Sequence, residues 1–162
     1  MRNLNRIIFI NSANIPYADD IYLDGNIHFI GTQGVGKSTI LRAILFFYNA
    51  DTQKLGIPVE KQSYTEYYFP YSNSYIVYEV ATENGAFCIL NFKSMNRVCY
   101  RFIDSPYRKE FFIDEESRTA YSGTDRIRAI LDQYDVDYSR IIYTYDEYRN
   151  ILYGNEAGAD MQ

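Results

Sequence analysis

Along most of the chain, short apolar and aromatic runs alternate with polar breaks, and the run lengths are those of strands. Arg6-Ile7-Ile8-Phe9-Ile10-Asn11-Ser12 predicts a strand over 6–12, which Asn14-Ile15-Pro16 ends. Residues 20–24 predict a short second strand. Asp24-Gly25-Asn26 is a tight-turn signal, and a third strand follows over 27–30. From Lys37 the pattern changes. Residues 38–48, Ser38 to Tyr48, are apolar around most of a helical circumference and predict a buried helix ended by Asn49. Residues 50–73, with Gly56, Pro58 and Pro70, read as a long loop. Strand patterns then recur over 74–82, 86–93 and 97–103. Glu83-Asn84-Gly85 and Ser94-Met95-Asn96 separate them, which predicts an antiparallel meander. A weaker strand is expected over 110–114 and another near 119–121. Thr124 is the expected cap of a helix over 125–134 with Ile127, Ile130 and Leu131 on one face. A strand over 139–145 and a helix over 146–153, stopped by Gly154, complete the pattern. These elements define one lobe over 1–153. Residues 154–162 form a small, polar tail, read as a flexible end and a point of truncation.

Length and composition narrow the class. At 162 residues the chain is long enough to bury a core. With 47% hydrophobic and 23% charged residues it has globular composition. Its formal net charge of −5 argues against stand-alone nucleic-acid binding, which needs clustered Lys and Arg. Eighteen Tyr and ten Phe, with no Trp, fit half-buried strand surface better than a base-stacking platform, since no basic stripe accompanies them. Cys88 and Cys99 lack metal spacing and read as buried thiols of a cytoplasmic protein. No apolar run reaches membrane-spanning length, and the N-terminal run is too short for a signal peptide. His28 is the sole histidine. It reads as a packed strand residue rather than a general base, because no nucleophile signature accompanies it.

One motif carries chemistry. Gly31-Thr32-Gln33-Gly34-Val35-Gly36-Lys37-Ser38 matches the P-loop pattern at every fixed position, between a predicted strand and a predicted helix. Gly31, Gly34 and Gly36 permit the backbone turns that aim successive N–H groups, those of Gln33 and Val35 among them, at a phosphate. Lys37 reaches the β- and γ-phosphates, Ser38 supplies a hydroxyl to Mg²⁺, and Thr39 faces the α-phosphate. A complete NTPase also needs an acid at the end of a second strand. The nearest candidate is Phe111-Phe112-Ile113-Asp114-Glu115-Glu116. Its charged surroundings fit the end of a hairpin with surface carboxylates better than a catalytic strand. No guanine-specificity motif occurs.

Two strands before the loop strand and a meander after the P-loop helix, instead of a βαβ crossover, resemble the N-terminal half of an ABC-type ATPase head. The segment from Asn26 to Leu41 is similar to the "N-x-x-x-h-x-G-x-N-G-x-G-K-S-T-h-h" phrase of SMC-like heads (h, apolar), and closest to the MukB-type and Wadjet-type branch. Gln33 stands where many of those heads carry Ser, Asn or Pro. Their Mg²⁺-binding Q-loop glutamine has no counterpart in 140–146, where Asp146 is the substitute on offer. The resemblance implies an α/β P-loop NTPase lobe, a mixed sheet with an antiparallel meander, ATP and Mg²⁺ as ligands, and cytoplasmic location. It also implies partners: a C-terminal head lobe bearing the signature and Walker B motifs, a second head, DNA bound through the assembly, and a kleisin-like subunit. Two other readings stand beside it. One is a self-sufficient small NTPase or kinase with Asp114 or Glu115 at Mg²⁺, and the other is a non-enzymatic nucleotide-binding module.

Overall fold

The computed structural model describes residues 3–12, 18–23, 29–30, 47 and 64–152. Its centre is a six-stranded sheet built from β1 (Asn3–Ile10), β2 (Ala18–Leu23), β3 (Phe29–Ile30), β4 (Tyr75–Thr82), β5 (Gly85–Ser94) and β6 (Arg97–Ile103). The spatial order is β3-β2-β1-β4-β5-β6, and every neighbouring pair is antiparallel. An α/β lobe with an antiparallel meander is therefore what the described residues form, but the expected mixed sheet is not seen: no described pair of its strands is parallel. The meander lies within one residue of its predicted bounds. Its second turn is the two-residue Met95-Asn96, both residues at positive φ (53° and 63°), the primed geometry that matches strand twist.

Strand alternation buries both faces of the sheet. Ile7, Phe9, Ile76, Tyr78, Ile89, Tyr100 and Phe102 point to one face. Ile8, Ile10, Tyr75, Val77, Cys88, Leu90 and Ile103 point to the other. The first face is covered by α1 (Tyr64–Tyr68), by α3 (Tyr145–Leu152) and by Phe47, whose ring meets Tyr78 edge-on with centroids 5.0 Å apart. Tyr148 of α3 stacks on Tyr100 at 4.1 Å and 9°. The second face is covered by a 3-10 turn (Lys109–Phe111), the hairpin β7 (Ile113–Asp114)–β8 (Thr119–Ala120), and α2 (Thr124–Gln133). α2 packs Ile127, Ile130 and Leu131, the face expected of it.

Four further expectations need correction. The stretch 50–73 is not all loop: α1 lies inside it, with Tyr68 and Phe69 fully buried, while 50–63 falls outside the described residues. Residues 110–114 do not form one strand. Lys109–Phe111 turn through 3-10 geometry, so the strand is confined to Ile113–Asp114, which pairs with Thr119–Ala120. Thr124 does not cap α2. Gly123 holds that position at φ 89°, and no side chain caps the helix. Residues 139–145 do not form a regular strand. They are strapped to β6 by bridges at Tyr138 and Ile142. Ser139 lies opposite Phe102 and Ile142 opposite Tyr100, so three steps face two, and the Ser139 hydroxyl takes the Phe102 N–H in place of a carbonyl.

Candidate nucleotide-binding site

The P-loop residues Gly31, Gln33, Gly34, Val35, Gly36, Lys37, Ser38 and Thr39 lie outside the described residues. So do His28, the Asp24-Gly25-Asn26 turn, most of the predicted helix 38–48, and the tail. What brackets the motif is described. β3 ends at Ile30, one residue before Gly31, at the edge of the sheet. Phe47, seventeen positions on (47 minus 30), is helical and packs on the first face. β3 thus ends directly before the motif, and Phe47, the next described residue after it, is helical and lies on the sheet.

The candidate acids are held apart. Asp146 sits in the first turn of α3, on the face that Phe47 covers, and its side chain is exposed. Its neighbour Glu147 accepts a two-pronged bond from Arg140 (2.9 and 3.1 Å), which holds the Glu147 carboxyl below its ordinary range. Asp114 and Glu115 belong to the β7–β8 hairpin on the opposite face. Asp114 is partly covered, pairs with Thr119 and accepts the Glu116 N–H at 3.0 Å, a local turn contact. Glu115 is exposed. Sequence therefore placed these two correctly at a hairpin end. Among the described residues, no group of three or more His, Cys, Asp or Glu is arranged to hold a metal ion.

The structure adds a pair that the motif reading does not contain. Glu79, on β4, is 3% exposed and lies on the second face. Asn5 Nδ2 and Arg6 Nε donate to its Oε1. Arg6 Nη2 (2.9 Å) and the Tyr107 N–H (2.8 Å) donate to its Oε2. The Arg6 guanidinium also lies over the Tyr107 ring, 5.0 Å from its centroid. Burial pushes the Glu79 carboxyl up, but the donors from Arg6, Tyr107 and Asn5 outweigh it and hold the group below its ordinary value. A β-bulge between Leu4 and Arg6 makes this possible. The extra residue lets Leu4 and Ile7 share the first face while Arg6 turns to the second. The sequence signal was one Glu in the apolar run Tyr75–Thr82 and one Arg opening Ile7–Ile10.

Cys88 and Cys99 are buried free thiols, as expected. Burial first, then the Glu79 charge, pushes the Cys88 thiol far up, so it stays neutral. No helix among the described residues is long and apolar enough to cross a membrane.

A family model described as "Protein of unknown function (DUF3584)" matches residues 8–160. No curated protein and no solved structure matches the chain.

Proposed function

The chain belongs to the DUF3584 family, and on that premise we propose that it is the ATP-binding N-terminal half of an SMC-like ATPase head, of the MukB-type or Wadjet-type branch. The observation that carries the reading is the complete P-loop sequence between edge strand β3 and a helical return onto the sheet at Phe47. The N–H groups of the Gly31–Ser38 loop would hold the phosphates of ATP, Lys37 would neutralise their charge, and Ser38 would offer its hydroxyl to Mg²⁺. Magnesium supplies charge neutralisation between the phosphates. This chain's residues bind and orient the nucleotide. Hydrolysis draws on a C-terminal lobe with the Walker B acid and on the signature motif of a second head, so ATP joins heads and its hydrolysis releases them. DNA and a kleisin-like subunit engage the assembled heads in the cytoplasm, in chromosome maintenance or plasmid defence. Asp146 would stand in for the Q-loop glutamine at Mg²⁺.

A self-sufficient NTPase built on Asp114 or Glu115 is disfavoured, because both sit across the sheet from Phe47. Isothermal titration of the full chain with MgATP tests the reading. Binding should be measurable and turnover negligible. Lys37→Ala should weaken binding about tenfold or more, the cost of a lost charged phosphate contact. Equal affinity in Lys37→Ala and wild type would sink it. Brisk turnover by the chain alone, abolished in Asp114→Asn, would favour the small-NTPase alternative instead.

A further inference from the structure

We infer that the buried Arg6–Glu79 pair is a positioning device for the nucleotide loop, acting through a single row of residues that crosses the whole sheet. The inference rests on the ATP-binding reading above. The row runs Ile30, Tyr22, Arg6, Glu79, Cys88, Ile103, each the cross-strand partner of the next. Gly31, the first residue of the P-loop, follows Ile30 directly. At about 4.8 Å between strands, Ile30 lies only about 10 Å from Arg6.

Three features separate this pair from an ordinary core contact. First, a buried ion pair is a poor way to gain stability, since desolvation consumes most of its attraction, and its best-attested role is to fix register. Second, the carboxylate is saturated by four donors from three residues, so its position is determined on every side. Third, the pair sits at the one irregularity in the β1–β4 ladder, the bulge at Asn5. Without a lock there, β1 can settle against β4 one residue out of step. A one-residue slip exchanges its two faces and moves the attached β2–β3 ribbon by about 3.4 Å. A phosphate cradle tolerates far less displacement than that. Arg6 and Glu79 touch no nucleotide on this account. They are positioning residues, and their partners Asn5, Cys88 and Tyr107 add no second charge.

The test uses the full chain, Glu79→Gln, and Leu131→Ala as a control on the same face of the sheet. MgATP affinity is measured by titration where all three are folded, and amide exchange is followed in β2 and β3. Glu79→Gln should weaken MgATP binding about fivefold or more and speed β2–β3 exchange. Leu131→Ala should do neither, despite lowering the melting temperature at least as much. Wild-type affinity and exchange in Glu79→Gln would overturn the inference, as would equal effects in Leu131→Ala. If Glu79→Gln does not fold, Arg6→Lys, which keeps the charge and loses the fork, is read by the same two criteria. If wild type itself binds no ATP, the nucleotide reading has failed. The exchange comparison then still decides whether the pair controls β3.

Discussion

Glu79 shows how one buried carboxylate becomes tolerable. Its burial is offset because each oxygen receives two donors, one of them from a permanently charged guanidinium. The same arrangement makes it an acid-sensitive element. The folded-state pKa is below the ordinary value of 4.5, so its contribution is full above that value and is lost as pH falls through the lower, folded one. Arg6 keeps its charge throughout, and the neutral Cys88 thiol does not titrate in that range. Thermal melts should therefore differ between wild type and Glu79→Gln by a constant amount from pH 8 to pH 6. The gap should narrow between pH 4.5 and the point of acid unfolding, where wild type becomes protonated as well. A gap that widens with acid would contradict the assignment.

At the scale of elements, α2 depends on backbone conformation where its sequence advertises a side chain. Gly123 precedes the helix at φ 89°, a region that L residues rarely occupy, and a Cβ there meets nothing within 4 Å. Gly123→Ala should cost about 1–2 kcal/mol, all of it backbone strain, whereas Thr124→Ala should cost less than about 0.5 kcal/mol. Urea melts of the two variants check this, and the reverse order would restore Thr124 as the cap. The contrast illustrates what was legible. The meander could be read because β4, β5 and β6 alternate and end at short polar turns, a wholly local signal. α2 and α3 were read from local periodicity in the same way. The strap over 138–142 could not, because the Ser139 hydroxyl displaces a ladder bond, and nothing near Ser139 in sequence announces that. The P-loop motif is a pattern of the sequence alone, because phosphate binding fixes residue types at fixed spacing, and its residues lie outside the described ones. The Arg6–Glu79 pair was not, since its members stand 73 residues apart.

On the scale of the molecule, the central feature is a sheet with no solvated face along β1, β4 and the middle of β5. Its two covering layers draw on segments far apart in sequence: Phe47, α1 and α3 on one side, and the 3-10 turn, hairpin and α2 on the other. The strands between them are shared, so neither layer has a core of its own. Phe102→Ala on the first face should cost about 3–5 kcal/mol and Leu131→Ala on the second about 2–5 kcal/mol. Both should shift one common urea transition, seen alike by tyrosine fluorescence and far-ultraviolet dichroism. Separate transitions for the two probes would mean that the layers unfold independently.

The place of β1 in the strand order has a consequence for synthesis. β1, synthesised well before β4, is an interior strand of the finished sheet, held between β2 and β4. Its second neighbour ends at Thr82. At roughly 5–20 residues per second, several seconds pass before that neighbour has been made. Throughout that interval Ile7-Ile8-Phe9-Ile10 has at most β2 beside it, and its other edge is open to any strand that passes. Arg6 directly precedes this run and carries its charge there before Glu79 has emerged. The residue that locks the mature sheet thereby guards the nascent one against pairing with the wrong chain.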